Sequence, residues 1–534
     1  MKKPAIRVML FPMISDIELA VRPGEDRNPD ILRQTAADAL GIPVTQVDQV
    51  LVRKKSVDAR RKRVRIILRC TVCTGGSRYD AEEIVPPGWK KADPDKRVVI
   101  AGAGPAGLFA ALRLLEEGIT PVIAERGPAI ETRRQDIAAM LTSGRISPHS
   151  NYCFGEGGAG AFSDGKLYTR ANKRGDVRKI AGIFCLHGGS PSLLTDAHPH
   201  IGTDRLPGIL SAIRKTILSF GGEIRFDTAC TGLLMQDGRV CGVRTESGAI
   251  PGQAVIFACG HSAPDTIRML AESAGGKEYA PRVFCAKTFA MGVRVEHPRA
   301  LIDAVQYRGA KEKLPAAEYR LSAQCGERGV YTFCMCPGGT IVPASSSPDE
   351  IVVNGMSDSA RDGPWSNAAV VVEIQPQDIG ADGDPEKAFL YQLRLGQEAK
   401  MHGDGLAAPA QRLTDFLDGK RSSTLPDSSY RPGLRSSRLD LWLPEHIAVR
   451  LREGLHIFGR RMKGFVTGEA LLVASETRTS SAIRILRDPG TMQSPVFPGL
   501  YPAGEGAGYA GGIVSSAMDG ERCAEAAAKT FTSP

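Results

Sequence analysis

The sequence has 534 residues, of which 42% are hydrophobic and 24% charged, and this composition is typical of a globular protein of two to four domains. No apolar run approaches the about 20 residues that a membrane-spanning helix needs, so we expect no membrane span. The 12 cysteines are scattered, mostly inside apolar runs. That usage favours free thiols in a reducing compartment, and we expect a cytoplasmic protein.

The net charge of +9 is uneven, because residues 1–97 contain 20 Lys and Arg residues against 13 Asp and Glu residues. The densest basic run is RKKSVDARRKRVRIILR, from Arg53 to Arg69. We interpret this run as a solvated strand and turn, since it lacks the interleaved aromatic residues of a single-strand binding platform. Binding of nucleic acid through the N-terminal region is the alternative.

Residues 1–92 have the pattern of a small α+β domain. The stretches IRVMLFP, VDQVLVRKKSV and RVRIILRCTV are strand-like, and NPDILRQTAADALG predicts a helix with Asn28 as its N-cap and Gly41 past its end. The order strand, helix, strand, strand predicts a ferredoxin-like sandwich with a basic hairpin tip near Asp58 to Lys62.

From Arg97 the pattern becomes α/β, with RVVIA as a buried strand, PAGLFAALRLLEEG as a helix and TPVIAER as the next strand. The turn between them is G-x-G-x-x-G, which permits a tight turn and lets the backbone approach a pyrophosphate at the helix N-terminus. Glu125 ends the second strand, where its carboxylate can accept ribose hydroxyls and disfavours a 2′-phosphate. We expect an adenosine diphosphate group to contact Gly102, Gly104, Pro105, Ala106, Gly107, Glu125 and Arg126.

Two further stretches are rich in small residues. FGEGGAGAFSDGKLYTR permits close backbone approach to a flat ring or to phosphates, and Lys166 within it either serves the site or is a surface lysine. VIFACGHSAPDT is a strand and turn of the kind that covers a dinucleotide. The residues of these stretches predicted as cofactor contacts are Gly157, Gly158, Ala159, Gly160, Ala258, Cys259 and Gly260. Ala229 and Cys230, at the end of GGEIRFDTAC, are predicted as further contacts.

The C-terminal stretch FPGLYPAGEGAGYAGGIVSSAMDGERCAEAAA is a strand, a Gly-rich turn with an acid, and a helix. It is similar to the segment that closes the flavin half of FAD in two-dinucleotide-fold flavoproteins. This resemblance implies that Glu505 hydrogen-bonds the ribityl chain, and that the helix beginning near Gly512 directs its N-terminus at the flavin N1/O2 edge. The predicted contacts are Gly504, Glu505, Gly512 and Ile513.

Over nearly its whole length the chain resembles a bacterial family of predicted FAD-dependent dehydrogenases within the glutathione-reductase-type superfamily. The stretches that carry the resemblance include AGAGPAGLFAALRL, GEGGAGAFSDGKL, PHIGTDRL, ACGHSAPDT, FCMCPGG, SETRTSS and GEGAGYAGGIVSSAMDG. The resemblance implies FAD and an α/β fold in which a discontinuous Rossmann-like domain, residues 97–285 and 461–534, carries an inserted α+β cap, residues 286–460.

Several residues are candidates for chemistry, although none is assigned as a catalytic acid or base. Cys334 and Cys336 are interpreted as buried structural thiols, with a redox role as the alternative. Arg294, Arg361 and Arg478 either clamp a substrate carboxylate or form structural ion pairs, and the ion pairs are favoured. His187, His198 and His200 are candidates of which one approaches the site, with a structural role as the alternative for each. The dispersed histidines predict no metal site.

These patterns favour an FAD-dependent oxidoreductase that transfers hydride between a small organic substrate in the cap cleft and flavin N5. No second G-x-G-x-x-G placed between a predicted strand and a predicted helix lies between residues 130 and 460, so NAD(P)H is expected only as a transient electron donor. The C-x4-C motif of disulfide reductases is absent after the phosphate helix. Two alternatives remain open, an RNA-binding or RNA-modifying flavoprotein and a non-catalytic redox sensor, and the oligomeric state is undetermined.

Overall fold

The computed structural model describes residues 13–60, 63–80, 83–169, 172–276, 280–308 and 314–531. The predicted first strand IRVMLFP lies outside the described residues, as do Arg61 and Lys62 of the predicted hairpin tip.

The N-terminal unit contains three strands and one helix, in the predicted order. They are β1 (Met13–Val21), α1 (Pro29–Leu40), β2 (Val47–Asp58) and β3 (Arg65–Thr74). The sheet order is β1-β3-β2 with both pairings antiparallel, as in the first three strands of a ferredoxin-like sandwich. The described part of residues 1–92 has no second α-helix or fourth strand.

The helix α1 begins and ends where its sequence predicts. The Asn28 side chain accepts hydrogen bonds from the backbone N–H groups of Asp30 and Ile31, at 3.0 and 3.3 Å. Gly41 follows the helix with φ +68°, a left-handed conformation that glycine adopts without strain. Both predicted caps are therefore confirmed.

The first half of the α/β unit follows residue 92. Its elements are β4 (Asp93–Ala101), α2 (Pro105–Glu116), β5 (Ile119–Ala124), α3 (Ile130–Ser143), α4 (Val177–Leu186), α5 (Leu206–Ser219), β6 (Glu223–Arg225), β7 (Cys230–Gln236), β8 (Arg239–Thr245), β9 (Gly248–Pro251), β10 (Ala254–Phe257), α6 (Pro264–Ser273), α7 (Ala280–Val283) and β11 (Phe284–Ala286). Strands β7, β8 and β9 form a separate antiparallel meander.

The cap unit follows. Its elements are β12 (Phe289–Pro298), α8 (Arg299–Tyr307), β13 (Ser322–Cys325), β14 (Arg328–Cys336), β15 (Thr340–Pro343), β16 (Val353–Met356), β17 (Trp365–Ile374), α9 (Pro385–His402), β18 (Ala408–Arg412), α10 (Leu413–Leu417), β19 (Leu434–Ser436), α11 (Leu439–Trp442), α12 (Glu445–Arg461) and β20 (Leu471–Glu476). Seven strands form a mixed sheet in the order β13-β14-β17-β12-β20-β18-β19, and α8 and α12 pack against it.

The cap sheet extends beyond residue 460, where we predicted its end. Strand β20 is an inner strand that pairs antiparallel with β12 on one side and β18 on the other. Its residues are therefore part of the cap, because removing them would leave two strands of the sheet without their central partner.

The chain then returns to the first unit through β21 (Ile483–Ile485), β22 (Leu500–Pro502) and α13 (Ile513–Ala528). Strand β22 pairs in parallel with β10, and the resulting five-stranded sheet has the order β22-β10-β4-β5-β6 with every pairing parallel. The predicted Rossmann-like, discontinuous α/β fold is confirmed. Where the chain leaves and re-enters this unit, β11 and β21 pair antiparallel.

Helix α2 forms the centre of the Rossmann-like core, between the parallel sheet and α13. Phe109, Leu112 and Leu115 are completely or almost completely buried there, and Ala517 and Ala524 of α13 belong to the same apolar cluster. The small residues of α13 let the two helices approach closely. In the part of the chain that the structure describes, no helix is long and apolar enough to cross a membrane.

This close approach can be tested at Gly520. A Cβ atom there would overlap the carbonyl oxygen of Ala106, so Gly520→Ala should force α13 away from α2 and destabilise the fold by roughly 1–3 kcal/mol. We expect a lower thermal midpoint. Gly208→Ala is the matched control, because Gly208 is exposed in α5 with nothing near its Cβ position, and it should leave the midpoint equal or slightly higher. An unchanged midpoint for Gly520→Ala would contradict the packing.

Candidate functional site

A cavity of about 350 Å³ lies between the parallel sheet and the cap sheet. One end is lined by the turns that follow β4, β5 and β10, at the carboxyl edge of the parallel sheet where ligands of open α/β sheets bind. The other end is lined by residues of β14, β16 and β20 of the cap. The cavity therefore joins the Rossmann-like unit to the cap.

The glycine turn after β4 faces this cavity as predicted. Gly102 has φ +108°, and a Cβ atom there would lie 2.5 Å from the carbonyl oxygen of Ala258. Gly104 is the N-cap of α2 and no side chain caps this helix, which leaves its N-terminal dipole available to an anionic group. Gly107 does not line the cavity, since its missing Cβ permits packing against Gly102 and Ile100.

Glu125 joins three separate turns. One carboxylate oxygen accepts a hydrogen bond from the N–H of Ala103 at 2.8 Å, and the other accepts from Gly127 at 3.1 Å and Gly155 at 3.0 Å. The side chain is buried yet lines the cavity. The predicted contact with ribose hydroxyls stays a prediction, but the carboxylate also holds the walls of the site together, a role that its sequence position alone does not indicate.

The loop that contains Gly157–Gly160 is held by Arg133, a residue that the sequence does not single out. Its guanidinium is completely buried and donates to the carbonyl oxygens of Asn151 at 3.0 Å, Glu156 at 2.7 Å and Gly158 at 2.8 Å. Gly158, Ala159 and Gly160 line the cavity, whereas Gly157 faces Leu210 in the core. The loop is therefore built from carbonyl groups that converge on one buried cation.

The remaining predicted contacts near the adenosine end are Arg126, Cys230, Ala258, Cys259 and Gly260, all of which line the cavity, whereas Ala229 does not. The guanidinium of Arg126 is oriented by the Asp265 carboxylate at 2.9 Å and lies over the Phe154 ring at 4.4 Å. Burial raises the pKa of the Cys259 thiol well above its usual value, so this thiol stays protonated at neutral pH.

The C-terminal turn approaches the same cavity from another direction, and Gly504, Glu505, Gly512 and Ile513 all line it. Gly512 is the N-cap of α13, again without a capping side chain. The turn is held by Asp519, which accepts from the N–H of Gly504 at 2.8 Å and forms an ion pair with Arg487 at 2.6 Å. Sequence reasoning missed this pair, because the two residues lie in different elements.

Glu505 lies in an unusual electrostatic position. Burial raises the pKa of its carboxyl group to about 7, against the opposing charge of Lys287. Nδ1 of His261 lies 3.9 Å away, and burial, assisted by the positive charge of Arg478, lowers the pKa of His261 to about 4. At neutral pH the imidazole is therefore neutral, while Glu505 holds its proton in a substantial fraction of molecules.

The cap end of the cavity is polar. Lys166 lies 2.8 Å from the Asp164 carboxylate, which lines the cavity beside it. Further lining residues, none of them among the predicted cofactor contacts, are Cys153, Phe154, Ser163, Tyr168, His261, Phe333, Cys334, Asn354, Glu476, Arg478 and Thr479. Lys166 therefore belongs to the site and is not a surface lysine.

The three candidate arginines form ion pairs, as favoured from the sequence. Arg294 pairs with Glu476 at 2.8 Å and Arg361 with Asp164 at 2.5 Å, and neither lines the cavity. Arg478 does line it, but its Nη2 lies 2.6 and 2.7 Å from the two oxygens of Glu350.

None of the three candidate histidines, His187, His198 and His200, lines the cavity. The histidine that does line it is His261, which directly follows the predicted contact Gly260. Among the residues that the structure describes, no group of acids, histidines and cysteines could hold a metal ion.

The arrangement fits a long cofactor with an anionic centre. Two helices without capping side chains, α2 and α13, both begin at the wall of one cavity. Gly102 and Gly158 line the cavity, and each lies so close to another backbone segment, at Ala258 and Gly104, that a Cβ atom would crowd it. An adenosine diphosphate group fits the turn after β4, and a flat ring system fits between the C-terminal turn and the cap sheet. A mononucleotide would leave the second helix terminus without a partner.

Comparison with known proteins gives a close relative. The chain is 35% identical to a protein of Clostridium beijerinckii, described as uncharacterized, over 98% of this chain and 99% of that protein. The chain belongs to the family of this clostridial protein. Residues 288–479 also match the family described as FAD-dependent protein, C-terminal domain-like, and residues 13–73 match a domain of unknown function (DUF8436).

Two solved structures have distant similarity. A geranylgeranyl bacteriochlorophyll reductase-like protein from Thermoplasma acidophilum is 12% identical with a TM-score of 0.33, over 82% of this chain and 79% of that chain. Glycine oxidase from Bacillus cereus is 12% identical with a TM-score of 0.28, over 80% and 94%. At TM-scores of this size neither likeness bears on the function of this chain.

The prediction that the cofactor is FAD is confirmed. The FAD-dependent family model covers the cap and ends at residue 479, so it includes cavity-lining residues of β14, β16 and β20. The glycine turn and Glu125 line the end of the same cavity at which the adenosine half is predicted. The individual contacts between each residue and FAD stay predictions.

The role of Glu125 can be tested with Glu125→Gln. The amide NH2 of glutamine would face backbone N–H donors, so the variant should lose one or two charge-assisted hydrogen bonds and bind FAD roughly 10- to 100-fold more weakly. Titration of flavin-free protein with FAD measures this change. Glu246→Gln, at an exposed glutamate of the meander, is the control and should bind as the native protein does. Equal affinity in both variants would contradict the role of Glu125.

The raised pKa of Glu505 predicts a pH-dependent stability. The folded flavin-free protein keeps this proton up to about pH 7, whereas the unfolded chain loses it near the ordinary value of 4.5. The stabilising contribution is thus complete below pH 4.5 and is lost as the pH rises through 7. Glu505→Gln should raise the thermal midpoint relative to the native protein more at about pH 8 than at about pH 5. The control Glu246→Gln should change the thermal midpoint by the same amount at both pH values. An equal change at the two pH values in Glu505→Gln would refute the raised pKa of Glu505.

Proposed function

We propose that this protein is an FAD-dependent oxidoreductase in which hydride passes between flavin N5 and a small organic substrate bound at the cap end of the cavity. The observation that carries the proposal is the single cavity lined at one end by the Rossmann-like turns and at the other by polar residues of the cap sheet. A protein that only stored FAD would need no second polar compartment beside the flavin half.

The arrangement of the C-terminal turn also supports placement in the glutathione-reductase-type superfamily. The turn and α13 follow a strand that joins the parallel sheet beside β10, so the flavin half of the cofactor would be enclosed by a segment from the end of the chain. When bound, FAD supplies reversible two-electron chemistry at its ring system. The N-terminus of α13 would stabilise negative charge near the flavin N1/O2 edge.

The residues of the chain would bind and orient the substrate and would exchange a proton with it. Lys166 and Asn354 offer hydrogen-bond donors to a substrate oxygen at the cap end. Burial raises the pKa of the Glu505 carboxyl group, which lines the cavity, to about 7, so Glu505 is the candidate to exchange a proton with substrate or cofactor. The cap sheet, which includes β14, would exclude water from this end of the cavity.

The electron donor or acceptor would be a separate molecule. The other G-x-G-x-x-G within residues 130–460, Gly155 to Gly160, neither follows a strand directly nor opens an α-helix, so it is not a second dinucleotide turn and NAD(P)H would bind transiently at the flavin face and leave after reduction. A flavoprotein that senses redox state without turnover is the second candidate, and it is distinguished by the same experiment.

The test is an absorption spectrum of the purified protein, followed by anaerobic addition of NADH and, separately, NADPH. We expect a bound flavin that is bleached by one of the two nucleotides and reoxidised by an added substrate or acceptor. A flavin that neither nucleotide reduces would remove the nicotinamide step and favour reduction by the substrate itself or a sensor. Absence of flavin after incubation with FAD would overturn the proposal.

A further inference from the structure

Two thiols meet at the cap end of the cavity. Cys334 lines the cavity beside Phe333 and Asn354, and Cys336 is completely buried directly behind it, with its sulfur 3.4 Å from the Cys334 carbonyl oxygen. We propose that Cys334 and Cys336 form a reversible dithiol/disulfide pair that carries electrons between the flavin and an external disulfide. This inference rests on the FAD-dependent oxidoreductase activity proposed above and names a disulfide as its substrate class, with electrons that travel between flavin and substrate through the thiol pair in place of direct hydride transfer.

The backbone brings the two thiols together by an irregularity in β14. Phe333 pairs with Ala369 and Cys336 pairs with Asn367, so three steps along β14 match two steps along β17. Cys334 lies within this bulge and has φ +43°, a left-handed conformation that is unusual for a residue with a Cβ atom. The bulge breaks the regular alternation that would hold residues i and i+2 at fixed positions on one face of a strand.

Charged groups around the pair favour one thiolate and one thiol. The Lys166 ammonium donates to the carbonyl oxygen of Met335, the residue between the cysteines, and Nη1 of Arg294 lies 3.3 Å from the Cys334 carbonyl oxygen. The opposing acids Asp164, Glu476 and Glu505 also face this region, and Asp164 and Glu476 are each paired with one of the two cations.

The thiols differ in protonation as a result. The hydrogen bond from the Cys336 thiol, with the positive charges of Lys166 and Arg294, lowers the pKa of Cys334 to about 5 in spite of burial. The pKa of Cys336 is raised well above its usual value by the neighbouring Cys334 sulfur and by burial. Cys334 is therefore the nucleophile, in the wall of the cavity, and Cys336 is the resolving thiol behind it.

The thiol–disulfide exchange and the reduction of the pair take three steps. The Cys334 thiolate attacks one sulfur of the external disulfide, which forms a mixed disulfide and releases one substrate thiolate. Cys336 gives its proton to the second substrate sulfur as its own sulfur attacks Cys334, so that the second thiol leaves and a Cys334–Cys336 disulfide remains. This disulfide then accepts two electrons from the reduced flavin and one proton, which restores the Cys334 thiolate and the Cys336 thiol. NAD(P)H, or another two-electron donor, supplies the electrons.

Mass spectrometry tests the pair without measuring activity. Cleavage after Arg328 and Arg361 releases residues 329–361, which contain Cys334 and Cys336 and no other cysteine. After oxidation of the holoprotein with diamide, this peptide should be lighter by two hydrogens and refractory to N-ethylmaleimide. After anaerobic photoreduction of the bound flavin with EDTA, it should take up two maleimide groups. A peptide that keeps the dithiol mass after diamide would overturn the proposal.

Reductive titration tests the connection to the flavin. The oxidised native holoprotein should take up two more electrons per chain than Cys336→Ser, and Cys336→Ala serves if the serine variant folds poorly. Cys241→Ser is the control, because this partly buried thiol lies in the meander outside the cavity, and it should take up as many electrons as the native protein. With dithiobis(nitrobenzoate) as the disulfide probe, the native protein should release thiol catalytically. The rate of thiol release should be at least tenfold lower in Cys334→Ser.

The failures of the two proposals are distinguishable. A native protein that binds and reduces flavin, yet takes up the same number of electrons as Cys336→Ser, would overturn the thiol pair and leave the oxidoreductase proposal intact. A protein that forms the light peptide with diamide but whose flavin cannot be reduced, or which holds no flavin, would contradict the oxidoreductase proposal and, with it, the transfer of electrons to the pair.

Discussion

The packing of α13 against α2 is the contact on which the site depends. The two helices come from opposite ends of the α/β unit, and they approach so closely that Gly520 lies against the backbone of Ala106. Each helix begins at a glycine that faces the cavity, without a capping side chain. Because the helices are held together, their N-termini are directed at one ligand, and the turns at Gly102 and Gly504 become two walls of one cavity.

Buried ion pairs shape the cap end. Arg294 with Glu476, Arg361 with Asp164, and Arg478 with Glu350 each place a desolvated charge against its partner, and loss of one partner from such a pair costs about 3–5 kcal/mol. The arginines thus support the wall, and the polar groups that line the cavity include Lys166, Asn354, Cys334 and Glu505. The hydrogen bond from Cys336 lowers the pKa of Cys334, and the positive charges of Lys166 and Arg294 lower it further.

Much of the site was predictable because its parts are local. The turn at Gly102, the helix after it and Glu125 lie within one strand–helix–strand unit, so their spacing in sequence determines their arrangement in space. The caps of α1 at Asn28 and Gly41 were predictable for the same reason. Arg133 and Asp519 were not predicted, because an isolated charged residue in a helix has no sequence signal for the loop that it holds.

The sequence by itself determined the fold class, the cofactor and the residues of the phosphate turn, because these depend on periodicity and on short motifs whose geometry is set by neighbouring residues. It also indicated that the C-terminal stretch serves the same cofactor. Only the tertiary structure decided that β20 belongs to the cap, that Lys166 and His261 face the cavity, and that Cys334 lies in its wall with Cys336 behind. These facts depend on pairings between distant strands and on a bulge in β14, which no local pattern specifies.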